Sequence, residues 1–270
     1  MDAVTTTSDP ILSIDELNLS FGGNHVLRDV TFHVPKAQVL ALIGPNGAGK
    51  TSLLNVLTRV YTPDSGTVVL HRPDAEPVSL LEARPHDLVG LGVARTFQNL
   101  QLIPGLSALD NVLIGRHWQM NTGVVGAMTR TPRVRSQDKA HRRVCLETLE
   151  FLDLAEFARR DIATLPYGVN KRIELARALA TKPRLLLLDE PAAGLNDEET
   201  EEMACVMRLI REEGSCTQVL VEHDMNMVMS TADSLVVLNF GEVLTTGTPD
   251  EVRNHPEVMA AYLGVALTES

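Results

Sequence analysis

The stretch GPNGAGKTS at 44–52 narrows the possible folds of this chain more than any other part of it. It satisfies G-x-x-x-x-G-K-[ST], a pattern that average composition produces by chance in only about one chain in a hundred of this length. Its setting says more than the match. The preceding run, QVLALI at 38–43, is short, continuous and aliphatic, as expected of a strand buried on both faces of a parallel sheet. Behind it, Leu53, Leu54, Leu57 and Val60 recur at helical spacing. A strand, a glycine-rich turn and a helix in that order make a cradle for phosphate. Gly44, Gly47 and Gly49 let main-chain N–H groups point inward, with Pro45, Asn46 and Ala48 completing the loop. The helix start adds about half a positive charge. Lys50 can then reach the β and γ oxygens of a triphosphate, while Thr51, with Ser52 beside it, offers a hydroxyl to Mg²⁺. A plain glycine turn would need neither Lys50 nor Thr51.

Composition limits the ligand further. Twenty-four basic against thirty-five acidic residues leave a net charge of −11, which argues against binding nucleic acid with the molecule as a whole. Six Phe, three Tyr and one Trp are too few for a base-stacking surface. An anionic ligand must therefore be held by local geometry. Cys145, Cys205 and Cys216 are odd in number and show no C-x-x-C spacing, so a reduced cytosolic setting is expected rather than disulfides or zinc. The start MDAVTTTSDP reads as a loose tail over 1–10 and not as a leader, and no apolar run reaches the ~18 residues of a membrane span. Any service to a membrane is expected to pass through another chain.

Strands alternating with helices predict an α/β fold with a parallel sheet and right-handed crossovers. Ile11 to Val34 reads as strands broken by Gly22 and Gly23; later come a helix over 169–181, strand 184–190, an acid-rich helix near 197–213, strand 218–224 and a hairpin-like VVLNFGEVL at 236–244. Between them, 94–165 reads as a mainly helical insertion, giving one domain over 11–270 divided as 11–93, 94–165 and 166–270. Six basic side chains and one acid lie between Arg130 and Arg143, and such a run is expected to be a solvated face. In RLLLLDE the four leucines put Asp189 and Glu190 at the carboxyl end of a buried parallel strand, the edge where α/β sheets bind ligands. Asp189 suits Mg²⁺, and Glu190 suits the activation of an attacking water.

With these motifs go Gln98 in TFQ, LPYG at 165–168 before KRIELARAL, AAGLN at 192–196 and His223 in VEHD. In that order they make the chain resemble the ATPase subunits of ABC transporters over nearly its whole length. The resemblance implies a P-loop NTPase core of the ABC type, with an N-terminal antiparallel β subdomain and an inserted α-helical subdomain. It implies two nucleotide-binding domains closing head to tail around ATP and Mg²⁺, each site using the phosphate loop of one chain and the signature segment, Leu165, Pro166, Tyr167 and Gly168, of the other. Carried over, Gln98 contacts the metal and water, His223 the γ-phosphate and Phe21 the adenine, and Asn196 lies in a loop crossing the dimer contact.

The signature departs from the commonest family form, L-S-G-G-Q. Pro166 stands at the Ser position and Tyr167 at the first Gly, so a hydroxyl and an N–H are missing, and the composite site built on this segment is expected to be the weaker of two in a heterodimer; a homodimer stays open. The L-x-Y-G signature, LLLLDEPAAGLN, VEHDMNMVMSTAD and the tail GTPDEVRNHPEVMAAYLG are most similar to the larger ATPase subunit of branched-chain amino-acid importers. That implies two membrane permease subunits, a second related ATPase, a solute-binding protein outside the membrane, and a place on the cytoplasmic face of the membrane. Urea or short amides remain alternative solutes. Rival classes are a soluble ABC-type ATPase acting on ribosomes, DNA or metal-cluster assembly, a P-loop kinase, and a nucleotide-binding regulator with little hydrolysis.

Overall fold

The computed structural model describes residues 10–73, 75–98, 100–119, 132–214 and 216–260. Of the tail expected over 1–10, residues 1–9 lie outside them, as does most of the weakly patterned stretch after Gly115, while Pro10 does not belong to a tail and opens the first strand by pairing with Pro35. Strands β1 (Pro10–Phe21) and β2 (Asn24–Pro35) form a hairpin whose turn, Gly22 and Gly23, has positive φ at both residues. With β4 (Ser65–Arg72) and β5 (Ala75–Ser79) they make a four-stranded antiparallel sheet in the order β2-β1-β4-β5. The second sheet contains β3 (Val39–Ile43), β6 (Val93–Arg95), β7 (Leu185–Asp189), β8 (Thr217–Val221), β9 (Ser234–Asn239) and β10 (Glu242–Gly247). Its order is β10-β9-β3-β8-β7-β6, parallel except for the edge strand β10.

Every residue of β3, β7 and β8 is buried, because the central sheet is covered on both faces. Leu40, Leu42, Leu185, Leu187 and Val221 pack toward the antiparallel sheet and helix α1 (Lys50–Leu57). Ala41, Ile43, Leu186, Leu188 and Leu220 pack toward the helices of the other side. Those are α3 (Ala108–Gly115), α4 (Pro132–Phe151), α5 (Tyr167–Leu179) and α6 (Asp197–Glu212); α2 (Leu88–Leu91), α7 (Met225–Thr231) and α8 (Pro249–Arg253) are short. None of the three cysteines is in a disulfide, and burial pushes the Cys145 thiol up to about 11, which leaves it unreactive.

Several expectations shift. Helix α1 stops at Leu57: Thr58 caps it, Arg59 turns into the left-handed region at φ 61°, and Val60 is exposed instead of completing the apolar stripe. The signature helix begins at Tyr167, two residues earlier than its apolar spacing indicated, and ends at Leu179. Strand β8 ends at Val221, which leaves Glu222, His223 and Asp224 in the connection that Asp224 closes by capping α7. Strand β6 pairs with β7 and straddles the boundary expected between 93 and 94, so the central sheet reaches into the segment read as a helical insertion. In the described part of the basic run, Arg142 pairs with Asp110 at 3.1 Å and Arg143 with Glu147 at 2.8 Å on exposed surface, as a solvated face should.

Candidate functional site

The parallel strands deliver their carboxyl ends to one edge, where the candidate residues gather. The loop after β3 is fixed by close packing. Gly44 passes so near β9 that an added Cβ would sit 2.1 Å from the Leu238 carbonyl oxygen. Gly49 caps α1 at φ 103°, where a Cβ would meet the Val26 carbonyl oxygen at 2.9 Å and Leu27 Cδ2 at 2.8 Å. Inside the loop, the Ala48 N–H donates to the Pro45 carbonyl at 3.1 Å. Lys50 Nζ folds back to donate to the Gly44 and Pro45 carbonyls at 2.6 and 3.0 Å. Burial lowers the Lys50 pKa, and the Glu190 carboxylate opposes that shift. Asn46, Gly47 and Thr51 are exposed and Ser52 is half-buried.

Asp189 ends β7, almost wholly buried, and its Oδ2 accepts from Arg95 Nη2 at 2.6 Å. Arg95 Nη1 donates to Asn55 Oδ1 and Thr58 Oγ1 at 2.8 and 2.9 Å, so one guanidinium joins the acidic strand end to the helix of the phosphate loop. Removing one member of a pair this deeply buried costs about 3–5 kcal/mol. Glu190 leaves the strand at φ 48°, a conformation costing about 1–3 kcal/mol in a non-glycine residue and concentrated at functional sites. Its N–H donates to the Val221 carbonyl at 2.9 Å, which holds the residue in place, and its Oε2 accepts from Gln98 Nε2 at 2.6 Å. Gln98, Lys50, Asp189 and Glu190 thus come together, as the sequence placed them.

His223 and Phe21 sit apart from that cluster. The His223 side chain is exposed, with Nδ1 3.7 Å from Glu222 Oε2. Phe21 stands at the end of β1, half exposed, edge-on to Tyr61 with centroids 5.0 Å apart. In the signature, Leu165 is buried and Pro166 is the N-cap of α5, with no side-chain cap. The Tyr167 hydroxyl donates to the Ala193 carbonyl at 3.3 Å, and its ring lies against Gly194. Gly168 abuts Glu199, whose Oε1 would be 2.5 Å from an added Cβ. Asn196 caps α6 reciprocally with Glu199.

Helix starts separate the ligand-facing elements from the rest. Among helices of eight or more residues with described first-turn side chains, α1 and α5 have no side-chain cap and no acid in the first turn. By contrast, α3 is capped by Ser107 with Asp110 in its first turn, and α6 by Asn196 with Asp197, Glu198 and Glu199. Uncapped starts leave their first N–H groups and the positive dipole end free for an anion. A metal fits on different grounds. Thr51, Gln98 and Asp189 are hard oxygen donors of the kind Mg²⁺ takes, while no group of three His, Cys, Asp or Glu forms a metal cage among the described residues. Mg²⁺ suits such a site because it is usually shared with substrate phosphates.

The sequence did not single out Arg95, Tyr61, Glu222 or Lys171. Glu222 is buried and accepts from the Ala192 N–H at 2.8 Å, pinning the turn after Glu190. Lys171 is also buried, and its Nζ donates to the Gln98 carbonyl at 2.7 Å. Burial lowers its pKa against the opposing pull of Glu174, Glu222, Glu190 and Asp189. The available signals were charges inside otherwise apolar segments: Arg95 closes VAR, and Lys171 lies among the buried positions of a helix.

A parallel sheet with a phosphate loop at its carboxyl edge, an antiparallel sheet on one face and helices inserted between β6 and β7 define a P-loop ATPase of the ATP-binding cassette class. The chain belongs to the ABC transporter family, whose model matches residues 27–193. A second family model, described as a branched-chain amino acid ATP-binding cassette transporter, matches residues 242–267. The chain is 41% identical over 259 residues to the high-affinity branched-chain amino acid transport ATP-binding protein BraF of Pseudomonas aeruginosa, covering 96% of this chain and 100% of that protein. It is 40% identical over 261 residues to LivG of Escherichia coli, named for the same transport, with the same coverage. Among solved structures, the ADP conformation of MJ1267, an ATP-binding cassette of an ABC transporter, superposes with a TM-score of 0.81 at 27% identity, covering 95% of this chain and 100% of that one. No helix among the described residues is long and apolar enough to cross a membrane.

Proposed function

We propose that this chain is the ATP-hydrolysing subunit of an importer for branched-chain amino acids. It closes head to tail with a second ATPase subunit and works through two permease subunits from the cytoplasmic face, with a solute-binding protein delivering the cargo. The observation that carries the catalytic part is the gathering of Lys50, Asp189, Glu190 and Gln98 at one sheet edge beside an uncapped helix start. The solute rests on the match over residues 242–267 and on the names of the relatives.

In this reading Lys50 exchanges the Gly44 and Pro45 carbonyls for phosphate oxygens when ATP enters, and the N–H groups of the loop and of Ser52 at the helix start complete the cradle. Phe21, with Tyr61 behind it, forms the aromatic surface for adenine. Mg²⁺, when bound, would be held by Thr51, Gln98 and Asp189 and would neutralise charge on the transferred phosphoryl group. Glu190 accepts the proton of the attacking water once Gln98 releases its carboxylate, and His223, free on the surface, reaches the γ-phosphate. The partner's nucleotide is capped by Leu165, Pro166, Tyr167 and Gly168, through the free N–H groups of the first turn of α5.

Uptake by the native host tests the solute. Deleting the gene should lower leucine, isoleucine and valine uptake by about tenfold. The wild-type gene should restore uptake, and Glu190→Gln should not. Loss of urea uptake with normal leucine uptake would replace the proposed solute.

A further inference from the structure

One face of the signature helix grips the main chain of the loop that carries Gln98. Lys171 Nζ donates to the Gln98 carbonyl at 2.7 Å, and one turn on, Glu174 Oε1 accepts from the Gln101 N–H at 3.2 Å. A further turn on, Arg177 Nη1 donates to the Gln101 carbonyl at 2.6 Å, while its Nη2 reaches Glu174 at 3.3 Å. The spacing i, i+3, i+6 stacks the three side chains along one stripe of α5. Lys171 and Glu174 are 4% and 2% exposed, so these two side chains lie away from water, where an unmatched partner is costly. The Lys171 ammonium also lies 5.8 Å from the centroid of the Tyr167 ring, whose hydroxyl holds Ala193. The chain of contacts runs from Glu190 through the Gln98 carboxamide, across the Gln98 carbonyl to Lys171, and on to Tyr167 and the 192–196 loop.

We propose that Lys171 is a positioning residue for ATP hydrolysis. Holding the Gln98 carbonyl from the signature helix, it sets where the Gln98 carboxamide stands relative to Glu190, and it makes the Gln98 loop, the Tyr167 tip and the 192–196 loop move as one body. The proposal rests on the role given to Gln98 above.

A double-mutant cycle on the full-length chain tests it, with hydrolysis and nucleotide binding measured together. Lys171→Met should lower kcat by about tenfold or more while the KM for ATP stays within about threefold, since the phosphate loop is untouched. Gln98→Ala should lower kcat comparably, and the double variant should fall no more than about twofold below the worse single, because both changes break one route. Lys171→Gln, which keeps a donor on a shorter arm, should recover part of the lost kcat; the same cycle can be run on it if the Met variant does not fold. Losses that multiply would overturn the Lys171 grip alone. Wild-type turnover in Gln98→Ala would overturn the role of Gln98 and, with it, this route.

Discussion

The phosphate loop and the signature tip are both uncapped helix starts suited to an anion, yet they differ in what surrounds those N–H groups. At α1 the loop is over-determined. Gly44 and Gly49 are pressed against main-chain atoms of other strands, Gly49 takes a backbone angle that other residues resist, and Lys50 adds a cation held over the loop. At α5 the nearby cation, Lys171, is turned onto the Gln98 carbonyl, Pro166 brings neither N–H nor hydroxyl, and Gly168 is crowded by the side chain of Glu199 and not by main chain. In the proposed function one helix start binds alone, by cage and charge, whereas the other contributes N–H groups and a dipole to a ligand already held elsewhere. Loss of the first should abolish binding, and change in the second should tune it.

Substitutions can break or sharpen that contrast. The largest effect is expected from Glu190→Gln, which leaves both helix starts intact: phosphate release should fall about 10²- to 10⁴-fold while ATP binding and ATP-dependent association persist. Unchanged turnover would remove Glu190 from the chemistry. Lys50→Met should lower kcat/KM by about 10²- to 10³-fold and weaken ATP in direct titration, as loss of a charged phosphate ligand does. Next comes a matched pair read by denaturant unfolding. Gly49→Ala, forced against the Val26 carbonyl at φ 103°, should cost about 1–3 kcal/mol. Gly168→Ala, which displaces only the Glu199 side chain and at most its capping bond to the Asn196 N–H, should cost about 1 kcal/mol or less. Equal losses would erase the distinction between a rigid and a yielding site. The smallest effect is expected at the proline: Pro166→Ser, restoring an N–H and a hydroxyl, should raise kcat/KM about fivefold, the worth of one hydrogen bond.

How far the sequence could be read follows the same division. The phosphate loop was legible because its chemistry lies within eight consecutive residues between a strand and a helix, and Asp189 and Glu190 because four leucines announce a buried strand. The contacts that complete the site were not legible, since they join distant positions. Arg95 meets Asp189 across 94 residues, and Lys171 meets Gln98 across 73. Strand β6 escaped notice because three residues, Val93 to Arg95, carry no periodicity, and the early end of α1 turns on the left-handed Arg59, which apolar spacing cannot show. Resemblance assigned Phe21 to adenine and His223 to the γ-phosphate; the coordinates show both side chains exposed and put Tyr61 against the first and Glu222 beside the second.

The central claim is that one chain's phosphate loop holds ATP and the other chain's signature helix closes over it. Sedimentation of the Glu190→Gln chain with its cognate ATPase subunit and Mg·ATP tests this directly when Gly168→Asp is added, which sets an acid at the start of α5 without touching α1. The account predicts that ATP binding to the monomer stays within about threefold, under 1 kcal/mol, while the ATP-dependent dimer is lost. A dimer that forms equally well with Asp at position 168 would contradict it.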